Sequence, residues 1–225
     1  MFNTIETTSR RVQAGAPQAR QFVEVTGEFE LPGFTMKFDR DEEIYGEGEL
    51  AEFVYNVISG VVRTHRVLDD GRRQISSFYF PGDLFGLEVG EDHSATAEAV
   101  STCEIGVIKR KALDHMTSDN CSAARELWAL TSQELNRAKA HLLLLGRKTA
   151  VERVASFLLD MADRSDDDEG VKIPMSRSDI ADYLGLTIET VSRTLTQLER
   201  SGAIELPSCR HIVLRNRRAL TRTNV

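Results

Sequence analysis

Between Phe38 and Lys109 the chain repeats one pattern: short runs rich in Val, Ile, Phe, Tyr and Thr, such as FVYNVISG, VVRTHRVL and QISSFYF, broken by glycine at short intervals. β-Branched and aromatic side chains suit a pleated, half-buried surface, and glycine suits the tight turns between. The pattern predicts many short antiparallel strands closed into a small barrel or jelly roll. Asp70-Gly71 predicts a hairpin through a type I′ turn, with both central positions at positive φ. The first 25 residues show little periodicity and are expected to form an arm or a short helix.

Glycine and proline then vanish from Ser118 to Leu145, where Leu127, Leu130, Ala138, Leu142 and Leu145 recur among polar residues. A helix of that length spans roughly 40 Å. One small barrel cannot cover it, so its apolar stripe is expected to pair with a second copy of the chain. Gly146 is the expected hinge. A further helix from Thr149 to Asp163 carries Val151, Val154, Ala155, Leu158, Leu159 and Ala162 at helical spacing. The acidic run Ser165–Gly170 lacks the alternating ligands of a calcium loop and is expected to be solvated. The expected divisions are an arm (1–25), a roll (26–117), a pairing helix (118–145) and a C-terminal domain (146–225).

That last domain contains MSRSDIADYLGLTIETVSRTLTQLERSGAIELPSCRHIVL. Ser176 and Asp179 have the spacing of a capping box, with Asp as a short substitute for Glu. Ile180, Ala181 and Leu184 make an apolar face, Gly185 closes the helix, and Thr187 caps a second one carrying Val191, Leu195 and Leu198. A short helix, a tight turn and a longer amphipathic helix predict a helix-turn-helix. GAIEL and CRHIVL, separated by Pro207-Ser208, predict a two-stranded wing. On the outer face of the second helix, Arg193 can donate twice to guanine, Glu189 can accept from cytosine N4, Ser192 can approach a base edge and Ile188 a thymine methyl. Ser176, Arg177, Thr187 and Thr190 are candidates for phosphate contacts. The competing reading is an ordinary solvated face with a Glu–Arg i,i+4 pair.

Charge first argues against such a partner and then, divided along the chain, points to it. The 225 residues carry 28 Lys and Arg against 35 Asp and Glu, a net charge of −7. Residues Val171–Val225 alone hold 9 against 5, a basic excess in an otherwise acidic chain. Hydrophobic content of 41% with 28% charged residues is that of a folded chain, which excludes a disordered or collagen-like one. No apolar run approaches a membrane span, and the N-terminus lacks the apolar core of a signal peptide. Cys103, Cys121 and Cys209 are odd in number and far apart, so no disulfide framework is implied, a cytoplasmic setting fits, and each is expected to be a small core residue. Cys209 falls on the wing, where oxidation could also act on DNA binding.

The stretch LGLTIETVSRTLTQLERSGAI resembles the DNA-binding motif of the CRP/FNR family of bacterial transcription regulators. EEIYGEGELAEFVYNVISGVVR and DGRRQISSFYFPGDLFGLE resemble that family's cyclic-nucleotide-type roll. The resemblance runs from about residue 35 nearly to the end, and the spacing of Glu189, Ser192 and Arg193 resembles the FNR and FixK branches. It implies an α+β chain with a cyclic-nucleotide-binding-like roll, a long dimerisation helix and a winged helix-turn-helix. It further implies a homodimer on a TTGAT-N4-ATCAA palindrome, activation through RNA polymerase, and control of oxygen-limited or nitrogen-fixation genes.

Family members that bind cyclic AMP carry a Gly-Glu pair and an Arg-Ser/Thr-Ala signature. Here those positions read Gly86-Leu87 and His93-Ser94-Ala95, without either charged ligand. Glu88 is a candidate replacement carboxylate, while His93 is a weak anion ligand at neutral pH. The N-terminus has no cysteine cluster for iron–sulfur chemistry, and the five histidines, at 65, 93, 115, 141 and 211, have no spacing for paired haem ligands; each is expected to be a surface or hydrogen-bonding residue. No cofactor is therefore expected. No nucleophile–base pair, HExxH, P-loop or GxGxxG motif points to an enzyme. The alternative is a small-ligand sensor whose DNA binding depends on an effector.

Overall fold

The structure is a computed structural model that describes residues 21–26, 29–88, 90–164 and 170–223. The expected arm up to residue 20 and the acidic run 165–169 lie outside the described residues. The chain divides into two compact units between Leu135 and Asn136.

In the first unit, strands β1 (Gln21–Thr26), β2 (Phe29–Phe38), β4 (Phe53–Ser59), β7 (Leu84–Phe85) and β9 (Cys103–Lys109) make one antiparallel sheet in the order β1-β2-β9-β4-β7. Strands β3 (Glu43–Tyr45), β5 (Val62–Val67), β6 (Arg73–Tyr79) and β8 (Thr96–Ala99) make a second, in the order β3-β8-β5-β6. The main core lies between them, with Phe38, Tyr55, Phe85 and Ile105 of the first sheet meeting Ile44, Tyr45, Val62 and Ala97 of the second. The expected jelly-roll architecture is present. β1 begins inside the segment expected to be an arm: Val23 and Val25 are buried and Phe22 and Glu24 exposed, a period-two signal the sequence already carried.

The Asp70-Gly71 hairpin joins β5 to β6, but its turn is not type I′. Gly71 has φ 81, whereas Asp41 is the one non-glycine residue with positive φ among the described residues. The Gly71 N–H donates to Leu68 O at 2.8 Å and the Leu68 N–H to Arg72 O at 2.8 Å, so Asp69 and Asp70 hold the centre of the turn and Gly71 follows as the left-handed residue. The Asp70 carboxylate accepts from Arg72 N and Nε, which fixes this longer loop locally.

Two helices follow: α1 (Arg110–Asp119) and α2 (Cys121–Arg147). They separate at Asn120, whose Oδ1 accepts from Ser122 N and Ala123 N and starts α2. Gly146 lies inside α2 and is no hinge. The break falls at Lys148-Thr149, because Thr149 and Glu152 form a reciprocal capping box that starts α3 (Ala150–Asp163). A second apolar cluster, including Val23, Leu31, Ile108 and Leu113, packs the outer face of the larger sheet under Met116, Leu127 and Leu130.

In the second unit, α5 (Ile188–Arg200) packs on both α4 (Arg177–Leu184) and α3, whose Val154, Phe157, Leu158 and Met161 are buried. The wing has three strands, not two: β11 (Ile204–Ser208) and β12 (His211–Leu214) pair as expected, and β10 (Val171–Lys172) adds to the other side of β12. A two-residue strand has too few positions to show a period. Helix α6 (Arg217–Thr223) packs on α3. No helix of the described residues is long and apolar enough to cross a membrane.

Candidate nucleic-acid interface

The helix-turn-helix is built by its caps. Ser176 Oγ accepts from Asp179 N at 3.0 Å, while Asp179 Oδ2 accepts from Ser176 N at 3.0 Å and from Ser176 Oγ at 2.8 Å. These bonds satisfy a carboxylate that is only 2% exposed, so Asp does serve where Glu is usual. α4 ends at Gly185, whose φ of 61 is the left-handed conformation that glycine adopts without a Cβ penalty. Leu186 N then donates to Ala181 O, and Thr187 Oγ1 accepts from Thr190 N at 3.2 Å to begin α5.

α5 buries Val191, Thr194, Leu195 and Leu198 and turns its other face to solvent. Ile188, Glu189, Ser192 and Arg193 are all exposed there, as the sequence pattern placed them. Glu189 is held below the usual carboxylate range by its own backbone N–H, then by the Thr187 hydroxyl and by the nearby Arg193 charge. It remains an acceptor well below neutral pH. Among the described residues none hydrogen-bonds or ion-pairs the Arg193 guanidinium, so the i,i+4 pair does not tie up its donors.

Of the expected phosphate-contact residues, Thr187 is exposed and Ser176, Arg177 and Thr190 are half-buried. The two threonine hydroxyls lie 3.1 Å apart and either can donate, which leaves one O–H for an outside acceptor. Burial lowers the Arg177 guanidinium pKa somewhat, and Cys209, in the turn of the wing, is close enough to act on it electrostatically. An arginine so placed is still a cation. Cys209 and Cys121 are exposed rather than core residues, because one sits in a turn and the other opens a helix, outside either apolar stripe; Cys103 alone is buried. Burial raises the Cys103 thiol pKa, and its Sγ–H faces Val61 O and Ser101 O.

The stripe expected to pair two chains divides into two faces. Leu127 and Leu130 pack on the chain's own roll, and Leu145 lies beside its own Gly185. Ala138 and Leu142 are exposed. The uncovered apolar face of α2 instead carries Trp128, Leu135 and Leu142, exposed by 74%, 54% and 71%. These are seven residues apart, a heptad signal that a search for a 3.6-residue stripe passed over.

In the roll, Gly86 and His93, the positions that the resemblance sets at a nucleotide pocket, pack against aromatic rings. His93 is 3% exposed and stacks on Tyr45 at 3.6 Å with an interplanar angle of 11°. Tyr55 stacks on Phe85 at 5.2 Å, and Tyr79 on Phe85 at 5.3 Å. A Cβ added at Gly86 would lie 2.9 Å from the Tyr55 ring. Glu88 Oε1 accepts from Ser94 N and Oγ and lies 3.9 Å from His93 Nδ1, which has no hydrogen-bond partner among the described residues. His93 is thus neither a surface nor a hydrogen-bonding histidine at that nitrogen; ring stacking holds it. His65 is buried as well, whereas His141 Nε2 meets Tyr183 O at 2.8 Å. Sequence reasoning missed Arg153 of the second unit, whose guanidinium meets four backbone carbonyls of that unit; a cation in the first turn of α3, against the helix dipole, was the only hint.

A capped helix-turn-helix with a wing, an outward-facing Glu-x-x-Ser-Arg on its second helix and a jelly roll ahead of it define a DNA-binding regulator of the winged-helix class. Residues 152–223 match the Crp-like helix-turn-helix domain and residues 35–120 the cyclic nucleotide-binding domain. The nitrogen fixation regulation protein FixK of Azorhizobium caulinodans is 55% identical over 82% of this chain and 77% of its own length. The transcriptional activatory protein AadR of Rhodopseudomonas palustris is 39% identical over 79% and 76%. The structure of FixK2 from Bradyrhizobium japonicum superposes with a TM-score of 0.84 at 49% identity, covering 87% of this chain and 98% of that one. The chain belongs to the CRP/FNR family of transcription regulators and is FixK-like.

Proposed function

We propose that the protein is a homodimeric transcription activator, acting in the cytoplasm on a TTGAT-N4-ATCAA palindrome in oxygen-limited or nitrogen-fixation gene control, with no cyclic nucleotide or iron–sulfur cofactor. The observation that carries this reading is the outer face of α5, where Arg193, exposed and with no hydrogen-bond partner among the described residues, stands beside Glu189, whose carboxyl is held below its ordinary range. Arg193 donates twice to guanine O6 and N7, Glu189 accepts from cytosine N4, Ser192 reads an adjacent edge and Ile188 meets a thymine methyl. Ser176, Arg177, Thr187 and Thr190 hold phosphates and set register. Pairing through Trp128, Leu135 and Leu142, with Ala138 between, places two recognition helices in successive major grooves. The similarity to FixK and AadR supports the activator role, with RNA polymerase as partner, and the gene class. Oxidation of the exposed Cys209 thiol would weaken binding, and Cys209→Ser would remove that sensitivity.

The residues of the roll do not fit a cyclic nucleotide. An aromatic ladder fills the space beside Gly86, and the candidate replacement carboxylate, Glu88, is engaged by Ser94. The test is equilibrium binding of the full chain, with no ligand added, to the palindrome and to a scrambled duplex at moderate salt. The expected Kd is on the order of 10⁻⁸ M, with the scrambled duplex about 10³-fold weaker. No measurable preference overturns effector-independent recognition, and a preference that appears only with cyclic AMP establishes the ligand-gated alternative. Leu135→Asp combined with Leu142→Asp should yield a monomer in sedimentation, with the palindrome preference lost.

A further inference from the structure

The helix-turn-helix is tied to the C-terminal end of α2 first of all by Arg153. Arg153, in the first turn of α3, donates from Nη2 to Leu145 O at 2.8 Å and from Nε to Lys148 O at 2.9 Å. Its Nη1 donates to Leu184 O at 2.8 Å and reaches Gly185 O at 3.4 Å. Leu145 lies in the last turn of α2, and Leu184 is the last residue of α4. The final carbonyls of a helix have no partner within it and carry its negative dipole end. Arg153 therefore sets one delocalised cation between the negative ends of two helices and bonds both.

A second contact runs beside it. His141, one turn earlier on α2, stacks flat on the Tyr183 ring at 4.1 Å, while its Nε2 meets the Tyr183 backbone O at 2.8 Å. Both contacts join the end of α2 to the end of α4 rather than to the outward face of α5. They do not touch the surface that would meet DNA.

We infer that Arg153 is a positioning residue: with His141 it fixes the angle at which α4 and α5 leave the end of α2, and so sets the half-site spacing that a pair of chains accepts. This rests on the dimeric palindrome reading above. A dimer reads two half-sites as a rigid ruler only if each recognition helix is held rigidly to the pairing helix. Lysine cannot replace the guanidinium, because one ammonium cannot reach carbonyls on opposite sides of a planar fork.

The test compares full-length wild type, Arg153→Ala, Arg153→Lys and His141→Phe on duplexes with two half-sites separated by three, four or five base pairs, and on a duplex with one half-site. Wild type should favour the four-base spacer by about tenfold or more over its neighbours. Arg153→Ala should lose about tenfold on that duplex, bind the single half-site within about twofold of wild type, and discriminate spacers by less than about threefold. Arg153→Lys should fall between the two, and His141→Phe, which keeps the ring stack, should lose about threefold. Full spacer discrimination in Arg153→Ala overturns the inference. So does an equal loss on the single half-site, which would mean that Arg153 merely keeps the helix-turn-helix folded. A wild type without spacer preference instead overturns the palindrome reading, and the spacing role falls with it.

Discussion

Each unit buries one ionisable residue that the sequence placed in a motif, and the two are satisfied in opposite ways. Asp179 of the winged helix is 2% exposed and bonded within its own turn to Ser176 N and Oγ. His93 of the roll is 3% exposed and held by the face of Tyr45, with Nδ1 unbonded. The winged helix settles its buried polar groups locally and leaves Glu189, Ser192 and Arg193 facing solvent. The roll turns its distinctive residues inward against one another. An outward, exposed set can recognise a partner, whereas an inward, stacked set fills space and confers rigidity.

The sharpest way to break this contrast is to remove a rung of the aromatic ladder. Phe85 is 2% exposed and stacks on both Tyr55 and Tyr79. Phe85→Ala should destabilise the roll by about 3–5 kcal/mol, the cost of losing a buried ring and leaving a cavity. Urea unfolding should show that loss, while base preference on DNA stays as in wild type. An unchanged midpoint would mean the ladder is not what packs the roll, and a Kd for cyclic AMP gained by the variant would show that the rings had been masking a pocket.

On the other side, Arg193→Ala should leave the midpoint within about 0.5 kcal/mol, as for an exposed residue without structural partners. It should weaken the palindrome by about 1–3 kcal/mol and relax preference at the guanine. Arg177→Ala should weaken every duplex alike and reduce the salt slope by about one, which a titration across ionic strength measures. If Arg177→Ala proved selective and Arg193→Ala uniform, the assignment of readout and register would be reversed.

What the sequence made legible follows the same division. Caps, turn glycine and outward face of the helix-turn-helix are local, so Ser176, Asp179, Gly185 and Thr187 could be read directly and stand where they were expected. Strand content was legible from composition, yet β10, two residues long, was not, because it exists only through its pairing with β12. For Leu127 and Leu130 the apolar stripe says that a helix face is covered without saying by what, and their own roll packs against them in part. Arg153 was legible only as a cation against a helix dipole and His93 as a motif position, but what holds each was not. One bonds backbone carbonyls, which any sequence supplies, and the other is fixed by rings far along the chain. The Thr149-x-x-Glu152 box was present in the sequence and places the break that was expected at Gly146.

The smallest effect tests the inward side by proton. Burial, the largest influence on His93, lowers its pKa from the ordinary 6.5; Glu88 and Asp92 favour the charged ring and Arg110 opposes it, without reversing the direction. A histidine depressed in the folded state binds its proton more readily when unfolded, so its contribution to stability is complete above pH 6.5 and is lost as the pH falls from there towards the folded-state pKa. Thermal melts should therefore decline on acidification below that point. His93→Phe keeps the stack on Tyr45 and removes the titration, so its melting temperature should fall less steeply over the same interval. The difference between the two slopes isolates His93 from the other histidines, since those are common to both proteins. Parallel slopes would show that the ring is not held in its neutral form, and a wild type that gains stability on acidification would mean that Glu88 at 3.9 Å outweighs burial after all.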